Sequence, residues 1–251
     1  MNLTHNTILI TGGTNGIGLA LAERFLKRQN TVIVCGRRDT VLEAARKKLP
    51  GLHGLICDVG QAEERQRLAE WIVREFPALN VLVNNAGIQR KIDLTAASGG
   101  GGAWEMLRDE IAINFDAPIH LSMLLANHLS GQRGAAIVNV SSGLAFTPMA
   151  AAPIYCATKA GLHSFSVSLR YQLARQAIEV IEIMPPAVNT DLGGSGQHTF
   201  GVPVDDFADA VFAGLAKKEQ EIGYGSAAQV MRLSRDEIDR VTQRINQHFH
   251  T

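Results

Sequence analysis

Tyr155 and Lys159 lie four residues apart in the segment YCATKAGLHSF. On an α-helix this spacing places both side chains on one face, so we expect the lysine ammonium close to the tyrosine phenol. A phenol with an ordinary pKa of about 10 is a weak acid at neutral pH, and a nearby positive charge favours its phenolate form. The pair is therefore suited to exchange a proton with an oxygen atom while a hydride moves between a carbonyl and an alcohol.

Ser142 precedes Tyr155 by thirteen residues and follows the apolar run AAIVNV, which predicts a buried strand. A residue at the carboxyl end of such a strand lies where open α/β sheets bind ligands, so its hydroxyl can hold a substrate oxygen. Alone, a Tyr-Lys pair is typical of a solvated helix face and a Ser-Ser pair is typical of a turn. Neither Tyr171 nor Tyr224 has a lysine four residues later, and the combination favours a catalytic site.

The segment TILITGGTNGIGLALAERFLKR near the start predicts a short strand, a glycine turn and an amphipathic helix. Gly12, Gly16 and Gly18 allow the backbone to approach a pyrophosphate, and the positive end of the helix attracts its charge. The spacing is GxxxGxG rather than the GxGxxG of the general dinucleotide fingerprint, and a plain tight turn could use the same residues. The flanking strand and helix favour a nucleotide-binding turn.

Two arginines follow the second strand in VIVCGRRD. An acidic residue at this strand end accepts the ribose hydroxyl of NAD, whereas arginine matches the 2'-phosphate of NADP. Here Arg37 and Arg38 stand at the end of the strand, and Asp39 is expected to start the next helix. We therefore expect NADP(H) to be favoured, with NAD(H) as the alternative if an arginine only stacks on adenine or faces solvent.

With these motifs, and with LNVLVNNAGIQ, SSGLAF, PIYCATKAGLHSFS and IEIMPPAVNTDL, the chain closely resembles the short-chain dehydrogenase/reductase family along nearly its whole length. Within that family it is similar to the DltE-type oxidoreductases. The resemblance implies an active-site tetrad of Asn114, Ser142, Tyr155 and Lys159. It implies that the tyrosine is the acid/base, the serine orients substrate, the lysine also holds the nicotinamide ribose, and the asparagine supports a water-linked proton relay.

The glycine turn, the arginines and the resemblance together predict a set of cofactor-binding residues and no metal site. The predicted cofactor-binding residues are Gly12, Thr14, Asn15, Gly16, Ile17, Gly18, Arg37, Arg38, Asp58, Val59, Asn85, Ala86, Gly87, Tyr155, Lys159, Pro185, Val188 and Thr190.

Some of these residues have other interpretations. Asn114 lies in a long helical pattern, where asparagine could instead face a partner or bend the helix. Asp58 could cap the next helix, and Asn84 and Asn85 could be ordinary turn residues. The family usually has Pro-Gly where this chain has Pro185-Pro186, so we expect the loop on the nicotinamide side to be shaped differently.

Strand and helix patterns alternate from TILIT through TVIVC, LHGLIC, LNVLVN, AAIVNV and IEVIEIM to QEIGYG. With 251 residues and 46% apolar content, the chain can bury a full sheet and two helical layers. We expect one α/β domain spanning 1–251: a Rossmann fold with a seven-stranded, parallel, doubly wound sheet and helices on both faces. The resemblance implies the strand order 3-2-1-4-5-6-7.

Composition argues against other classes of protein. The formal net charge is zero, so no basic surface suggests a nucleic acid partner, and no apolar stretch is long enough for a membrane span. The start shows no signal-peptide pattern, so we expect a cytoplasmic protein. Cys35, Cys57 and Cys156 are odd in number and widely spaced, and we expect reduced, packed thiols; a reactive Cys156 beside Tyr155 is the alternative.

Three segments carry further expectations. The glycine-rich run SGGGGA at 98–103 predicts a mobile loop. The tail SRDEIDRVTQRINQHF predicts a helix with a capping box of Ser234 and Glu237. Its stripe of Ile238, Val241 and Ile245 is expected to pack on its own domain. Segments 104–129 and 153–176 are apolar around much of their circumference, so we expect a homodimer or homotetramer that pairs these helices.

The sequence leaves two functions open. One is an oxidoreductase acting on a small carbonyl or alcohol, and the other is a nicotinamide-binding, redox-sensing regulator with little turnover; the intact Ser-Tyr-Lys set favours the enzyme. The expected substrate walls would suit either an apolar or an anionic carbonyl, because they combine apolar and basic residues: Leu144, Phe146, Met149, Phe200, Arg90 and Lys91.

Overall fold

The computed structural model describes residues 1–95 and 101–247. Its seven strands form one parallel sheet in the order β3-β2-β1-β4-β5-β6-β7. This confirms the predicted sheet and the strand order that the resemblance implied. The strands are β1 (Thr7–Thr11), β2 (Thr31–Gly36), β3 (His53–Ile56), β4 (Leu79–Asn84), β5 (Ala136–Val140), β6 (Glu179–Met184) and β7 (Glu221–Gly223).

Helices cover both faces of the sheet, as a doubly wound fold requires. One apolar cluster packs α1, α2 and α7 on the first face, and a second cluster packs α3, α5 and α6 on the other. The helices are α1 (Gly16–Leu26), α2 (Asp39–Lys48), α3 (Ala62–Glu75), α4 (Gly101–Ile111), α5 (Ala117–Ser130), α6 (Pro153–Leu173), α7 (Val204–Ala216), α8 (Ser226–Val230) and α9 (Arg235–Asn246). Among the described residues, no helix combines the length and apolar character needed to cross a bilayer.

The segment between β4 and β5 contains one long helical stretch with an irregular turn. Helix α4 continues into a π-helical turn at Ala112–Asp116, and α5 follows at once. Asn114 lies in this turn, which agrees with the interpretation that it bends the helix; such turns frequently mark functional sites. The glycine-rich segment predicted as a mobile loop falls partly outside the described residues, and α4 begins at Gly101.

The C-terminal helix α9 starts as predicted but packs differently. Ser234 and Glu237 form the capping box, with the Ser234 backbone N–H donating to Glu237 Oε2 at 2.8 Å. The stripe of Ile238, Val241 and Ile245 was expected to be a buried face on its own domain; the expected burial is wrong, although Val241 and Ile245 do face a cleft of this domain. No residue of α9 is buried, and Ile245 is 41% exposed. The periodicity correctly indicated an apolar face, but that face lies over an open cleft rather than on the core.

The glycine turn joins β1 to α1 at the point where the strand order reverses. Gly12 and Gly16 have φ angles of 62° and 52°, in the left-handed region that favours glycine. Asn85 holds the turn against the end of β4: its Nδ2 donates to Thr11 O at 2.9 Å and to Gly12 O at 3.1 Å. Gly18 has no space for a side chain, since a Cβ there would lie 2.5 Å from Asn85 Nδ2 and 2.6 Å from Gly12 O.

We predict that Gly18→Ala destabilises the fold by about 1–3 kcal/mol, because the new methyl group has no space and the turn must shift. Gly131→Ala is the matched control, since a Cβ there meets only His128 O at 3.5 Å. Urea denaturation of the two variants and the parent chain measures the difference. Equal midpoints for Gly18→Ala and Gly131→Ala would contradict the packing described for this turn.

Candidate active site

A cleft of about 920 Å³ opens at the carboxyl ends of the strands. This is the edge at which parallel α/β sheets bind ligands. All of the predicted cofactor-binding residues line the cleft, and so does Ser142. The sequence motifs, which come from seven separate stretches of chain, therefore meet at one site.

Ser142, Tyr155 and Lys159 meet where β5 ends. Tyr155 and Lys159 are both buried on α6, and Lys159 Nζ lies 5.6 Å from the centroid of the Tyr155 ring. Lys159 Nζ donates a hydrogen bond to Val140 O at 2.8 Å. Ser142 Oγ accepts one from Leu144 N at 3.1 Å, which fixes the short turn after the strand. The three groups surround a space in which a substrate oxygen can be bound.

The pKa of the Tyr155 phenol is raised, whereas the sequence predicted that the Lys159 ammonium would lower it. Burial raises the pKa of the Tyr155 phenol, and its hydrogen bond with Ser142 opposes that rise. Burial also lowers the pKa of Lys159 to about 8, against the opposing charges of Glu182 and Glu110. Desolvation therefore outweighs the expected effect of the ammonium on the phenol. The hydrogen bond with Ser142 is the contact that favours the phenolate.

Asn114 is completely buried behind the cleft and does not line it. Its Oδ1 accepts from Ile88 N at 2.9 Å, and its Nδ2 donates to Ile88 O at 2.8 Å. Asn114 therefore fixes the backbone that follows the NNAG segment. A Cβ placed on Gly87 would lie 3.4 Å from Asn114 Oδ1 and 3.6 Å from Lys159 Nζ, so the glycine leaves both polar groups bordering one small space.

Arg37 and Arg38 border the end of the cleft next to β2. The Arg37 side chain is about half exposed, and its Nη1 lies 3.9 Å from Asp58 Oδ2. Asp58 Oδ1 accepts from Gly60 N at 2.9 Å, so this residue closes the turn before α3 and does not cap the helix, whose N-cap is Gln61. Helix α2 starts at Asp39, as the sequence predicted.

The two prolines after β6 leave the adjoining loop well anchored. Pro185 O accepts a hydrogen bond from Gly143 N at 3.0 Å, which joins the ends of β5 and β6. Val188 is buried and pairs with Val202 through an isolated parallel bridge. Thr190 faces the glycine turn, because a Cβ on Gly16 would lie 3.4 Å from its Cγ2. Val188 and Thr190 therefore lie where the sequence places them despite the second proline.

The substrate side of the cleft is mainly apolar. Leu144, Met149 and Phe200 line it as expected, and Val241 and Ile245 of α9 complete the wall. Phe146 and Lys91 were also expected in this wall, but neither of them borders the cleft. Phe146 packs against the His163 ring at 4.7 Å between centroids, and Lys91 Nζ donates to Gln197 Oε1 at 3.3 Å.

Arg90 borders the cleft, but its guanidinium group is already engaged. Its Nη1 donates to Met106 O, and its Nη2 lies 3.9 Å from Asp109 Oδ2. The cation is thereby directed toward α4 rather than toward a substrate.

Two buried glutamates near the site were missed by the sequence analysis. Glu182 on β6 and Glu110 on α4 are both fully buried, and both raise the pKa of Lys159. The available signal for Glu182 was a charged residue inside the apolar run IEVIEIM. Within residues 1–95 and 101–247, no cluster of three His, Cys, Asp or Glu side chains is placed to hold a metal ion.

Comparisons with known proteins agree with this architecture. The family model for short chain dehydrogenases matches residues 6–199. The chain is 45% identical to the uncharacterized oxidoreductase DltE of Bacillus subtilis (strain 168) across 98% of each chain. It is 33% identical to serine 3-dehydrogenase of Agrobacterium fabrum across 82% of this chain and 86% of the relative.

Solved structures show the same fold. A short-chain dehydrogenase from Sphingobium yanoikuyae in complex with NADPH superposes with a TM-score of 0.77 at 26% identity, covering 96% of this chain and 94% of the other. One from Burkholderia cenocepacia in complex with NADP gives a TM-score of 0.83 at 24% identity, covering 98% and 99%. With the glycine turn, the Ser-Tyr-Lys set and the sheet order in place, the chain belongs to the short-chain dehydrogenase/reductase family of nicotinamide-dependent oxidoreductases.

Proposed function

We propose that residues 1–251 form a single-domain reductase that prefers NADPH and acts on apolar ketones or aldehydes, with Tyr155 as the acid/base. The observation that carries the proposal is the meeting of Ser142, Tyr155 and Lys159 in a cleft that also holds the glycine turn and two arginines. The turn fits a dinucleotide, because Gly12 and Gly16 adopt left-handed conformations and the N-terminus of α1 faces the cleft.

Each residue of the site has a separate role in the proposed reaction. A bound nicotinamide supplies the hydride for reduction, or accepts it in the reverse direction. Ser142 Oγ holds the substrate oxygen, and the Tyr155 phenol donates its proton to that oxygen as charge develops. Lys159 provides a fixed positive charge beside this centre and, by resemblance to the family, holds the nicotinamide ribose. Asn114 keeps the Ile88 backbone in place and borders the space through which a proton can be resupplied.

The protonation states favour reduction at neutral pH. Because burial raises the pKa of Tyr155, the phenol keeps its proton there and is ready to donate it. Lys159, with a pKa of about 8, is still mostly charged at pH 7 and loses its charge as the pH rises through that value. Oxidation needs the phenolate as base, so its rate is expected to increase toward alkaline pH while reduction decreases.

We predict that Tyr155→Phe lowers turnover by about 100- to 10,000-fold, because it removes the transferred proton and leaves the ring in place. NADPH consumption with a panel of aliphatic and aromatic carbonyls measures this effect, and fluorescence titration checks that cofactor binding survives. Lys159→Met is expected to weaken cofactor binding as well.

Tyr171→Phe, at a residue that is 79% exposed on the same helix, is the matched control. Full turnover in Tyr155→Phe would contradict the assigned role. Tight NADPH binding by the parent chain, with no reduction of any carbonyl in the panel, would favour the nicotinamide-binding regulator instead.

The preference for NADP rests on Arg37 and Arg38. No acidic side chain follows directly after β2, and the 3.9 Å ion pair of Arg37 with Asp58 is long and partly solvated, so the guanidinium can turn toward a phosphate. A hydrogen bond from arginine to phosphate is worth about 1.5 to 3 kcal/mol.

We therefore predict that Arg37→Asp weakens NADPH binding by about 10- to 100-fold and leaves NADH binding equal or stronger. Arg74→Asp makes the same change of charge on the exposed end of α3 and is the control. Dissociation constants for both cofactors, measured by fluorescence titration, decide the matter. Unchanged values in Arg37→Asp would exclude this arginine from phosphate binding.

The substrate wall favours the apolar alternative. Leu144, Met149, Val241 and Ile245 line this side of the cleft, and the arginine that the described residues place there is held by α4. An anionic substrate would find no unengaged arginine among these residues, whereas an apolar carbonyl would bury its body against this wall.

We predict that Val241→Phe raises KM for bulky apolar ketones at least about tenfold, because the ring narrows the cleft, and changes KM for short aldehydes little. Gln243→Phe places the same ring on the exposed side of α9 and is the matched control. Steady-state kinetics with a series of carbonyls of increasing size provide the measurement. An identical size dependence in both variants would show that α9 does not shape the substrate site.

Helices α4, α5 and α6 are proposed to form a homodimer or homotetramer interface. Met123 on α5 is 69% exposed and Tyr171 on α6 is 79% exposed, which is unusual for large apolar side chains. Light scattering at micromolar concentration should report a dimer or tetramer, and Tyr171→Asp should shift it toward monomer. Phe200→Asp changes an equally exposed ring away from these helices and should leave the mass unchanged. A monomeric parent chain would contradict this proposal.

A further inference from the structure

Glu182 is an ionisable side chain inside the sheet, on the strand next to the edge strand β7. It lies on β6, between Asn139 of β5 and Glu221 of β7 in the strand register, and it is fully buried. An isolated carboxylate in such a position costs several kcal/mol, so its partners must compensate the loss of water.

Both oxygens of Glu182 have partners, and these come from two different elements. Ser141 Oγ donates to Oε1, and His163 Nδ1 lies 2.9 Å from Oε2. Ser141 directly precedes the proposed catalytic Ser142 at the end of β5. His163 follows Lys159 by four residues on α6, which places the two on one face of the helix. A single carboxylate thus links the strand end that carries the serine to the helix that carries the tyrosine and lysine.

We propose that Glu182 is a positioning residue of the active site: its carboxylate cross-links Ser141 and His163, fixes Ser142 relative to Tyr155 and Lys159, and supplies the negative charge that retains the Lys159 ammonium. This inference rests on the proposed reductase function for its kinetic consequences, but its effect on Lys159 can be measured without turnover. Ser141 and His163 affect the positions of Ser142, Tyr155 and Lys159 through the backbone and through helix α6. This role requires no contact between Ser141 or His163 and the substrate.

The surrounding charges support this role. Burial lowers the pKa of Lys159, and Glu182 is the largest opposing influence, followed by Glu110 from α4. From β7, Glu221 pairs with Arg170 of α6 at 3.1 Å, so this neighbouring carboxylate already has its own cation. Of these two carboxylates of the sheet, Glu182 is the one whose charge acts on the lysine.

His163 forms the other half of the link. Its hydrogen bond to Glu182 raises the pKa of the imidazole above the ordinary value of 6.5, against the opposing effect of burial. Glu221 adds to this rise, and Arg170 opposes it. The ring also packs on Phe146, with centroids 4.7 Å apart, so its position is fixed on two sides.

Glu182→Gln is the informative substitution, because it keeps the size of the side chain and removes the charge. We expect kcat for reduction to fall about 10- to 100-fold, because small misplacements of reacting groups slow a reaction by such factors. The Kd for NADPH should change less than about threefold. Without the negative charge the pKa of Lys159 falls, so the ammonium is lost at lower pH. The decline of kcat on the alkaline side should therefore move toward lower pH.

The control is Glu221→Gln, which removes a carboxylate at the register partner of Glu182 on β7 and should leave both kcat and the pH profile unchanged. NMR titration of the lysine side chains, with Lys159→Met used to assign the signal, gives the Lys159 pKa directly. This measurement separates the inference from the proposed function, since it remains valid if the parent chain reduces no carbonyl.

An unchanged Lys159 pKa in Glu182→Gln, or a kcat equal to that of Glu221→Gln, would overturn the proposal. If Glu182→Gln does not fold, Ser141→Ala and His163→Asn break the link from either side while leaving the charge in place. Both should then lower kcat and keep the pH profile of the parent chain. Parent-like kcat in both of these variants would refute the positioning role.

Discussion

The active site is organised around a positive charge inside the protein. The Lys159 side chain is 3% exposed, and transferring an ammonium group from water to such a place costs several kcal/mol unless other groups compensate. The hydrogen bond to Val140 O at the end of β5 provides part of that compensation, and the carboxyls of Glu182 and Glu110 provide the rest through charge. The Lys159 ammonium thus contacts the end of β5, lies beside the buried Tyr155 ring and is stabilised by two internal acids.

The topology of the sheet explains how these groups converge. Every strand is parallel, so the residues that follow β1, β4, β5 and β6 all lie on one edge, and the reversal of strand order between β1 and β4 opens the cleft there. The cleft has a positive character at two places. The N-terminus of α1, with the arginines after β2, suits the phosphates of a dinucleotide, and Lys159 suits the negative oxygen that forms on the substrate.

Much of this arrangement could be predicted from the sequence, for physical reasons. Central parallel strands are buried on both faces, so they appear as short apolar runs, and all seven were recognised within one or two residues of their observed bounds. The glycine turn, the two arginines and Ser142 were found because turns and strand ends have local signatures, whereas other cleft residues, such as Asp58 and Val188, came from the family resemblance. The strand order came from the family resemblance, since nothing in the periodicity of the chain determines it.

The remaining features depend on contacts between distant segments. The link from Ser141 through Glu182 to His163 spans two strands and a helix, and no local pattern encodes it. Helix α9 has a clear apolar stripe, but periodicity indicates only that one face avoids water and not which part of the molecule covers it. The same limit applies to Tyr155 and Lys159, because their i, i+4 spacing predicted proximity but not the burial that dominates both pKa values.

The two internal acids differ in their hydrogen bonding. Glu182 accepts hydrogen bonds at both oxygens. Glu110 accepts one long bond from Arg90 N at 3.3 Å, and its Oε2 has no hydrogen-bond partner among the described residues. Burial raises the pKa of Glu110, and the hydrogen bond from Arg90 together with the charges of Arg90 and Lys159 opposes that rise. Burial also raises the pKa of the Tyr155 phenol, so the phenol stays protonated, as the proposed reduction requires.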